Sequence, residues 1–410
     1  MSEDDWDRLQ YYSQKVKFFK ATDTDLDRQV HPSTYFRIAQ LQSSALFPSL
    51  RHLHYNLSHA SISDSHIFFF QSPLLDSLEF VNIKGFENTI VGPFLASLSS
   101  QVLSRIVLRS GQLPMDILKN SIAHFEQLRS LELSDAVLIS DCSLWVDLGT
   151  LPCLESFTFV ASDPASYPVH PPESQSGDPN YFDALENLCV TSSFPFIQDL
   201  LGFIDSPCLK SIKVYPNIYR NHDELNEDPF TPSMTIIASK WSQSLTDLVI
   251  GTRRISHRSP ISKCLMLLTD FYNMQTFCLI GWKLENADDD VRRLVTSWPK
   301  LTTLNLNRTA ISLPTLRIIA ENCPDLRSLE IPLNAATIPP FDASIVRLSH
   351  NLEFLVVGAV RGSKSGPDLR IQVTRHLDLI FPYLKSIKVE DENWVEIEGL
   401  IKLCQDVRRL

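Results

Sequence analysis

His52 and His54 are the residues whose type and spacing come closest to a metal site. They stand two positions apart on a predicted strand, so both side chains point to the same face. A zinc site needs at least one more protein ligand, and no third ligand stands at a recognisable spacing. The sequence therefore predicts no metal site and no other cofactor.

Residues 253–258 form a basic stretch around Ser256. One interpretation is a solvated loop, which is the commoner state of such sequences. The other is a docking site for an acidic partner, in which phosphorylation of Ser256 would reverse much of the local charge. Both interpretations stay open at this point.

Signatures of catalysis are missing from the sequence. It contains no G-x-S-x-G turn, no H-E-x-x-H helix, no G-x-x-x-x-G-K-[ST] loop and no G-x-G-x-x-G turn. Only 12 of the 410 residues are glycine, which leaves few positions for loops that cradle phosphate groups. We predict that the chain is not an enzyme.

Overall charge and composition narrow the classes of partner. The 48 acidic residues exceed the 37 basic ones, for a net charge of -11, so a nucleic-acid partner is not expected. No stretch approaches the roughly 18 apolar residues that cross a bilayer, so no membrane span is expected. The 8 cysteines include no Cys-x-x-Cys pair, which favours reduced thiols and a cytoplasmic or nuclear location, or both.

One short pattern, L-x-x-L-x-L, recurs through the whole chain. Most successive copies stand 24 to 29 residues apart, which is the period of leucine-rich repeats. The pattern predicts an α/β leucine-rich repeat solenoid, a horseshoe with parallel strands on the concave face and helices or irregular segments on the convex face. Fourteen copies begin at Val16, Leu50, Leu75, Leu103, Leu128, Leu154, Leu185, Leu209, Leu245, Met274, Leu301, Leu326, Leu352 and Leu384.

Segments between the strands complete the predicted organisation. Residues 1–15 are predicted as an N-terminal helix or cap, and residues 16–410 as a single solenoid of about fourteen irregular repeats. Apolar spacing predicts helices at 114–125, 195–204, 260–271, 314–323 and 370–381, several of them opened by proline. Longer intervals predict loop insertions near 162–180, 221–229 and 361–366. Cys404–Leu410 aligns with Cys323–Leu329 and predicts the start of a fifteenth repeat.

A family resemblance extends over nearly the whole chain. The W/S/C-P-x-L-x-x-L phrases around Pro207, Pro299 and Pro324, together with the opening residues 4–8, resemble the leucine-rich repeat region of fungal F-box proteins, especially basidiomycete ones. In that family the repeats select a protein target. An F-box before them binds a Skp-type linker, which joins the target to a cullin-based ubiquitin ligase.

The F-box itself has no counterpart before Trp6 in this sequence. Two functions therefore stay open: target recognition in an F-box-like ubiquitin ligase adaptor, or a stand-alone repeat scaffold without a link to ubiquitin transfer. The usual asparagine after each strand is also mostly replaced, so the hydrogen-bond ladder that it builds must be replaced or absent.

Binding of a protein partner is expected on the concave face or on the loops. Side chains two, four and six positions after each leading residue point there if the register holds. Near the N-terminal end they form a polar set, and further along they form an apolar set with scattered polar neighbours. The predicted binding residues are His52, His54, Glu79, Arg105, Arg109, Glu132, Lys213, Tyr215, Val249, Cys278, Ile280, Asn305, Asn307, Phe354 and Val356.

Overall fold

A computed structural model gives the structure of the chain. It describes residues 3–21, 38, 45–57, 64–83, 88–98, 102–114, 118, 121–137, 143–161, 181–217, 230–252, 261–334, 338, 346–357, 367–389 and 393–409. The predicted insertions at 162–180, 221–229 and 361–366 lie outside the described residues, as does Ser256 with its basic neighbours.

The chain folds into two compact units, Met1–Cys208 and Leu209–Leu410. We call them the N-terminal unit and the C-terminal unit. The single solenoid over 16–410 stays a prediction.

Seven parallel strands in chain order form the sheet of the N-terminal unit. Every neighbouring pair is hydrogen-bonded in parallel register. The strands are β1 (Phe18–Ala21), β2 (His52–Asn56), β3 (Ser77–Ile83), β4 (Arg105–Pro114), β5 (Ser130–Val137), β6 (Ser156–Ala161) and β7 (Asn187–Ser192).

The C-terminal unit repeats this arrangement with seven more parallel strands, again paired in chain order. They are β8 (Ser211–Pro216), β9 (Asp247–Gly251), β10 (Thr276–Ile280), β11 (Thr303–Asn305), β12 (Ser328–Glu330), β13 (Phe354–Val357) and β14 (Ser386–Val389).

Helices return the chain from one strand to the next. Those in the N-terminal unit are α1 (Glu3–Ser13), α2 (Asn88–Ser97), α3 (Ser143–Gly149) and α4 (Phe194–Phe203). Those in the C-terminal unit are α5 (Phe230–Trp241), α6 (Ser262–Leu265), α7 (Ala287–Ser297), α8 (Leu313–Asn322), α9 (Pro367–Ile380) and α10 (Asn393–Arg409). Short 3-10 helices cover Asp64–Phe70, Ile122–His124 and Met266–Asp270.

The L-x-x-L-x-L pattern produces this fold because successive strand residues face opposite sides of the sheet. In β5, Leu131 and Leu133 are buried against the helical layer, whereas Glu132 between them is partly exposed. Full burial of one leucine side chain contributes roughly 1.5–3 kcal/mol, and each repeat adds its own layer of such residues. The predicted fold class is confirmed: the chain has an α/β leucine-rich repeat fold, with parallel strands on one side and helices on the other.

A regular backbone ladder joins each repeat to the one before it, just ahead of the strands. The amides of Arg327 and Ser328 both donate to the carbonyl oxygen of Thr302, at 2.8 and 3.1 Å. The same pair of bonds recurs between the other neighbouring strands within each unit, for example from Glu155 and Ser156 to Arg129. This ladder fixes the register in which the strand residues line up.

Side chains of several types take the place of an asparagine ladder. Trp298 Nε1 donates to the carbonyl of Leu268 at 3.0 Å, and Ser206 Oγ donates to the carbonyl of Leu185 at 2.6 Å. After the strands, the buried Thr309 accepts a hydrogen bond from the amide of Leu284 at 3.2 Å. The amides expected from the repeat pattern are thus replaced by a mixed set of donors and acceptors.

The predicted helices agree with the structure in three places and differ in two. Helices α4, α8 and α9 form at 195–204, 314–323 and 370–381 to within a few residues. The prediction at 114–125 is wrong at its start, because Pro114 ends strand β4, paired with Val137. At 260–271 the helix divides into α6 and the 3-10 segment Met266–Asp270.

The C-terminal end also differs from the sequence-based expectation. Residues aligned with the start of a fifteenth repeat belong to α10, which continues to Arg409, and Val407 is 63% exposed. In the aligned segment, Pro324 follows the end of α8 and prevents the helix from continuing, whereas Gln405 stands at the equivalent place. Arg408 then holds the last turn of α10 by an ion pair with Asp378 at 2.5 Å.

Candidate functional site

The open face of each sheet, the side opposite the helices, carries the predicted binding residues. In the N-terminal unit the register aligns a middle row of side chains, one from each strand: Lys20, His54, Glu79, Val107, Glu132, Thr158 and Cys189. In the C-terminal unit the equivalent row is Lys213, Val249, Cys278, Asn305, Glu330, Val356 and Lys388. The register is therefore the one that the repeat pattern predicts.

A paired-charge cluster of His54, Glu79, Arg109 and Glu132 lies on the open face of the N-terminal unit. His54 Nδ1 is 2.9 Å from one oxygen of Glu79, and Arg109 Nη1 is 2.9 Å from the other. Arg109 Nε also donates to Glu132 at 2.9 Å. Four strands, β2 to β5, contribute to this cluster, so it forms only when their register is correct.

The cluster favours the ionised forms of Glu79 and Arg109. Partial burial raises the pKa of Glu79, but the hydrogen bond with His54 and the charges of His54, Arg109 and Arg105 outweigh it, so the pKa lies below its ordinary value. The hydrogen bond to Glu132 raises the pKa of Arg109, partial burial opposes this, and the charges of both glutamates add to the rise. Val107 stands between the two glutamates in the middle row and is only 1% exposed.

His52 and His54 do not act together in the described structure. His54 contacts Glu79, whereas the His52 ring lies 6.4 Å from the ring of Phe18. Among the described residues, no three His, Cys, Asp or Glu side chains are grouped so that they could hold a metal ion. Arg105 lies in the same row as His52, two strands away.

The apolar residues predicted on the C-terminal unit form two separate groups. Val249, Cys278 and Ile280 lie on β9 and β10, whereas Phe354 and Val356 lie on β13. Two strands separate the groups, and across them Asn305 Nδ2 donates to Glu330 at 2.6 Å. The repeat register predicts that Asn305 and Glu330 are neighbours between the apolar groups, but it does not predict the hydrogen bond between them.

Val249 and Phe354 differ in exposure, although both were expected to face solvent. Val249 is 7% exposed, so the expectation of an exposed side chain is wrong there, whereas Phe354 is 50% exposed. Tyr215 lies on β8 and Gly251 on β9, the strand that carries Val249. A Cβ atom on Gly251 would lie 2.6 Å from the Tyr215 ring, so the missing side chain makes room for that ring.

Gly251 was missed by sequence reasoning. The available signal was a glycine at the end of a strand pattern, which often marks close approach by another group. Next to it, Ile280 is partly exposed, and Asn307 Oδ1 accepts a hydrogen bond from the amide of Gly281 at 3.0 Å.

Cys278 is a thiol of low reactivity at neutral pH. Burial raises its pKa to about 11, and the carboxylates of Glu330 and Asp247 act in the same direction, while Lys213 opposes them. Because the thiolate is the reactive form, Cys278 is suited to contact rather than to nucleophilic chemistry. Lys213 itself is exposed at the beginning of the row.

No helix among the described residues combines the length and apolar character required to span a membrane.

Comparisons with known proteins find similarity at the level of solved structures. No protein-family model matches the chain, and no curated protein matches it. The solved structure of the yeast Rad7–Elc1 complex matches at 15% identity over 95% of this chain and 91% of that one, with a TM-score of 0.45. An internalin from Listeria monocytogenes matches at 14% identity over 89% of this chain and 92% of that one, with a TM-score of 0.39.

A third match is the complex of TLR13 with ssRNA13. It has 15% identity over 79% of this chain and 46% of that one, with a TM-score of 0.39. At such identities no function is transferred from these proteins to this chain.

Proposed function

We propose that the chain is a non-catalytic protein-interaction module that binds a partner protein through its open faces. The observation that carries the proposal is the alignment of exposed and partly exposed side chains in rows across adjacent parallel strands. With strands about 4.8 Å apart, seven strands extend over roughly 29 Å in each unit, which suits a protein segment better than a small molecule.

Phe354 is the residue on these faces that best fits an interface anchor. It is an aromatic side chain that is half exposed on a rigid strand, and such residues often contribute a large share of binding energy. Its neighbours in the row are polar, with Ser328 on one side and Ser386 on the other. An apolar anchor surrounded by polar groups is the usual composition of a specific protein interface.

The more specific proposal is target recognition in an F-box-like ubiquitin ligase adaptor, in the cytoplasm or nucleus. It rests on the sequence phrases around Pro207, Pro299 and Pro324. A Skp-type linker and a cullin would then be partners, if an F-box or an equivalent element exists. The alternative is a scaffold that binds its target without ubiquitin transfer.

Affinity purification of the tagged full chain tests both levels of the proposal. We expect a stoichiometric partner that is lost from Phe354→Asp and retained by Tyr383→Asp, a matched control at an exposed aromatic residue outside the strands. Recovery of the Skp-type linker and a cullin would support the adaptor function, and a partner without them would support the scaffold. If no partner depends on Phe354 or on any other open-face residue, the interaction-module proposal is wrong.

A further inference from the structure

A row of six hydrogen-bond donors crosses the open face of the N-terminal unit beside the paired-charge cluster. The register aligns one side chain from each of the strands β2 to β7 in this row. We call it the donor row, and it consists of His52, Ser77, Arg105, Ser130, Ser156 and Asn187.

Each member of the donor row can donate a hydrogen bond, and none is a carboxylate. His52, Arg105 and Asn187 are exposed, and the three serines are partly exposed. Within the described part of the chain, these six side chains make no hydrogen bond and no ion pair with one another or with their neighbours. Their donors therefore face solvent on adjacent strands.

Acidic groups near the row are already engaged by the protein itself. Glu79 and Glu132 in the next row are held by His54 and Arg109. Two more acidic side chains directly precede donor-row residues in the sequence, and both are engaged. The Asp76 carboxylate accepts a hydrogen bond from Ser104 at 2.5 Å, and Glu155 forms an ion pair with Arg129 at 2.5 Å. Arg105, the one fixed charge in the donor row, lowers the pKa of Glu79 through its charge but forms no ion pair among the described residues.

We propose that the donor row binds an extended, acidic segment of a partner protein, with a carboxylate of that segment paired to Arg105. This inference rests on the proposed interaction function and specifies its partner chemistry. A carboxylate accepts from a guanidinium through two parallel bonds, and serine and asparagine side chains suit the carbonyl groups of an extended backbone. The row is about 24 Å long, which an extended segment of about seven residues covers.

The equivalent row of the C-terminal unit does not offer the same chemistry. It consists of Ser211, Asp247, Thr276, Thr303, Ser328, Phe354 and Ser386. Asp247 places a negative charge in it, and no arginine or lysine stands in it. The acidic segment is therefore assigned to the N-terminal unit.

A nucleic acid fits the donor row less well than an acidic peptide. Its backbone carries a charge at every phosphate and needs several cations in a line, whereas this row has one arginine and one histidine. A peptide can place a single carboxylate opposite Arg105 and neutral groups elsewhere.

Photo-crosslinking in a lysate of cells that express the full chain tests the proposal. Benzoylphenylalanine replaces Ser130 in the donor row and, as a matched control, Thr303 at the equivalent register position of the C-terminal unit. We expect protein segments crosslinked from position 130 to be richer in Asp and Glu than the remainder of the same partner. Arg105→Glu should reduce this crosslinking about tenfold, and Arg105→Lys should retain part of it.

The crosslinked segment is then synthesised and its binding to the full chain is measured directly. Replacing its Asp and Glu by Asn and Gln should weaken binding about tenfold, and raising the salt concentration should weaken the acidic form more. Neutral or basic crosslinked segments, crosslinked nucleic acid, or crosslinking unaffected by Arg105→Glu would overturn the proposal. If position 303 crosslinks a partner while position 130 does not, the inference fails and the interaction function stands. If neither position crosslinks and affinity purification finds no partner, both fail.

Discussion

The open face of the N-terminal unit carries a cluster of paired charges, whereas the middle row of the C-terminal unit has apolar groups on both sides of an amide–carboxylate pair. His54, Glu79, Arg109 and Glu132 bind one another across four strands. The middle row of the C-terminal unit has Val249, Cys278, Asn305 and Glu330 on β9 to β12. The backbone ladder and the buried leucines are alike in both units. The residue type at the open-face positions can therefore differ between repeats, because packing of the core does not constrain it.

Gly251→Ala is expected to have the largest effect and to act on the C-terminal face alone. The new Cβ would meet the Tyr215 ring at 2.6 Å, so the ring must move, at a cost of about 1–3 kcal/mol in the free energy of unfolding. Denaturant unfolding, monitored by hydrogen exchange of the amides in β8 and β9, measures this cost. Gly202→Ala is the control, because nothing lies within 4 Å of its added Cβ, and it should be neutral or slightly stabilising.

Arg109→Ala should have a smaller effect and act on the N-terminal face. It leaves Glu79 and Glu132 without their shared cation, so we expect a loss of about 1 kcal/mol in the free energy of unfolding. Lys213→Ala, an exposed cation of the C-terminal unit, should change stability little. Equal effects of the two substitutions in the same urea titration would contradict the difference drawn between the faces.

Acidification should weaken the C-terminal unit before it weakens the paired-charge cluster. His350 Nε2 lies 2.8 Å from the carbonyl of Cys323, and Nδ1 accepts from the amide of Leu352 at 3.0 Å, so the folded ring is neutral. Burial lowers the pKa of His350, while the carbonyl of Cys323 and the charge of Asp325 oppose this. The unfolded chain therefore binds this proton more readily, and stability falls as the pH drops below the ordinary value of 6.5.

In the N-terminal unit, Glu79 causes a loss of stability only at a lower pH. Its pKa is lowered in the folded chain, so its contribution is present above the ordinary value of 4.5 and is lost as the pH falls through the folded value. Hydrogen exchange at a series of pH values should show protection lost first around β13 and only later around β3. In His350→Gln the earlier loss should become smaller, and an unchanged profile would exclude His350 as its cause.

Slow alkylation of Cys278 is the smallest expected effect. With a pKa of about 11, very little of this thiol is ionised at about pH 8, so iodoacetamide should label the exposed Cys208 first. The buried Cys323, with its pKa raised by burial to about 12, should react only after unfolding. Mass spectrometry measures the labelling rate of each cysteine. If Cys278 were labelled as fast as Cys208, the result would contradict the burial assigned to Cys278.

Much of the fold was predictable because burial imposes a strict spacing on the sequence. Leu304 and Leu329 pair across β11 and β12, as their places in the repeat predict, since each must enter the core at the same depth. Segment 114–125 was not predictable in this way. A proline is compatible both with a first helical turn and with a strand end, and its pairing with Val137 decided between them.

The candidate site was predictable in position but not in contacts. The repeat pattern placed Glu79, Arg109 and Glu132 on one face, yet nothing in the spacing indicates that one arginine bridges two glutamates on other strands. It also gave no sign that Val249 would be covered or that Asn305 would bond Glu330. Those contacts depend on rotamers and on neighbours that are more than twenty residues away in the chain.

The sequence by itself determined the repeat, the strand register and the residues that face away from the core, because the alternation of buried and exposed side chains is a local property of a strand. Only the tertiary structure decided which of those exposed residues pair with each other, which stay available to a partner, and that α10 continues through Cys404 to Arg409. These outcomes depend on distances between strands and helices, and the separation of residues along the chain does not encode such distances.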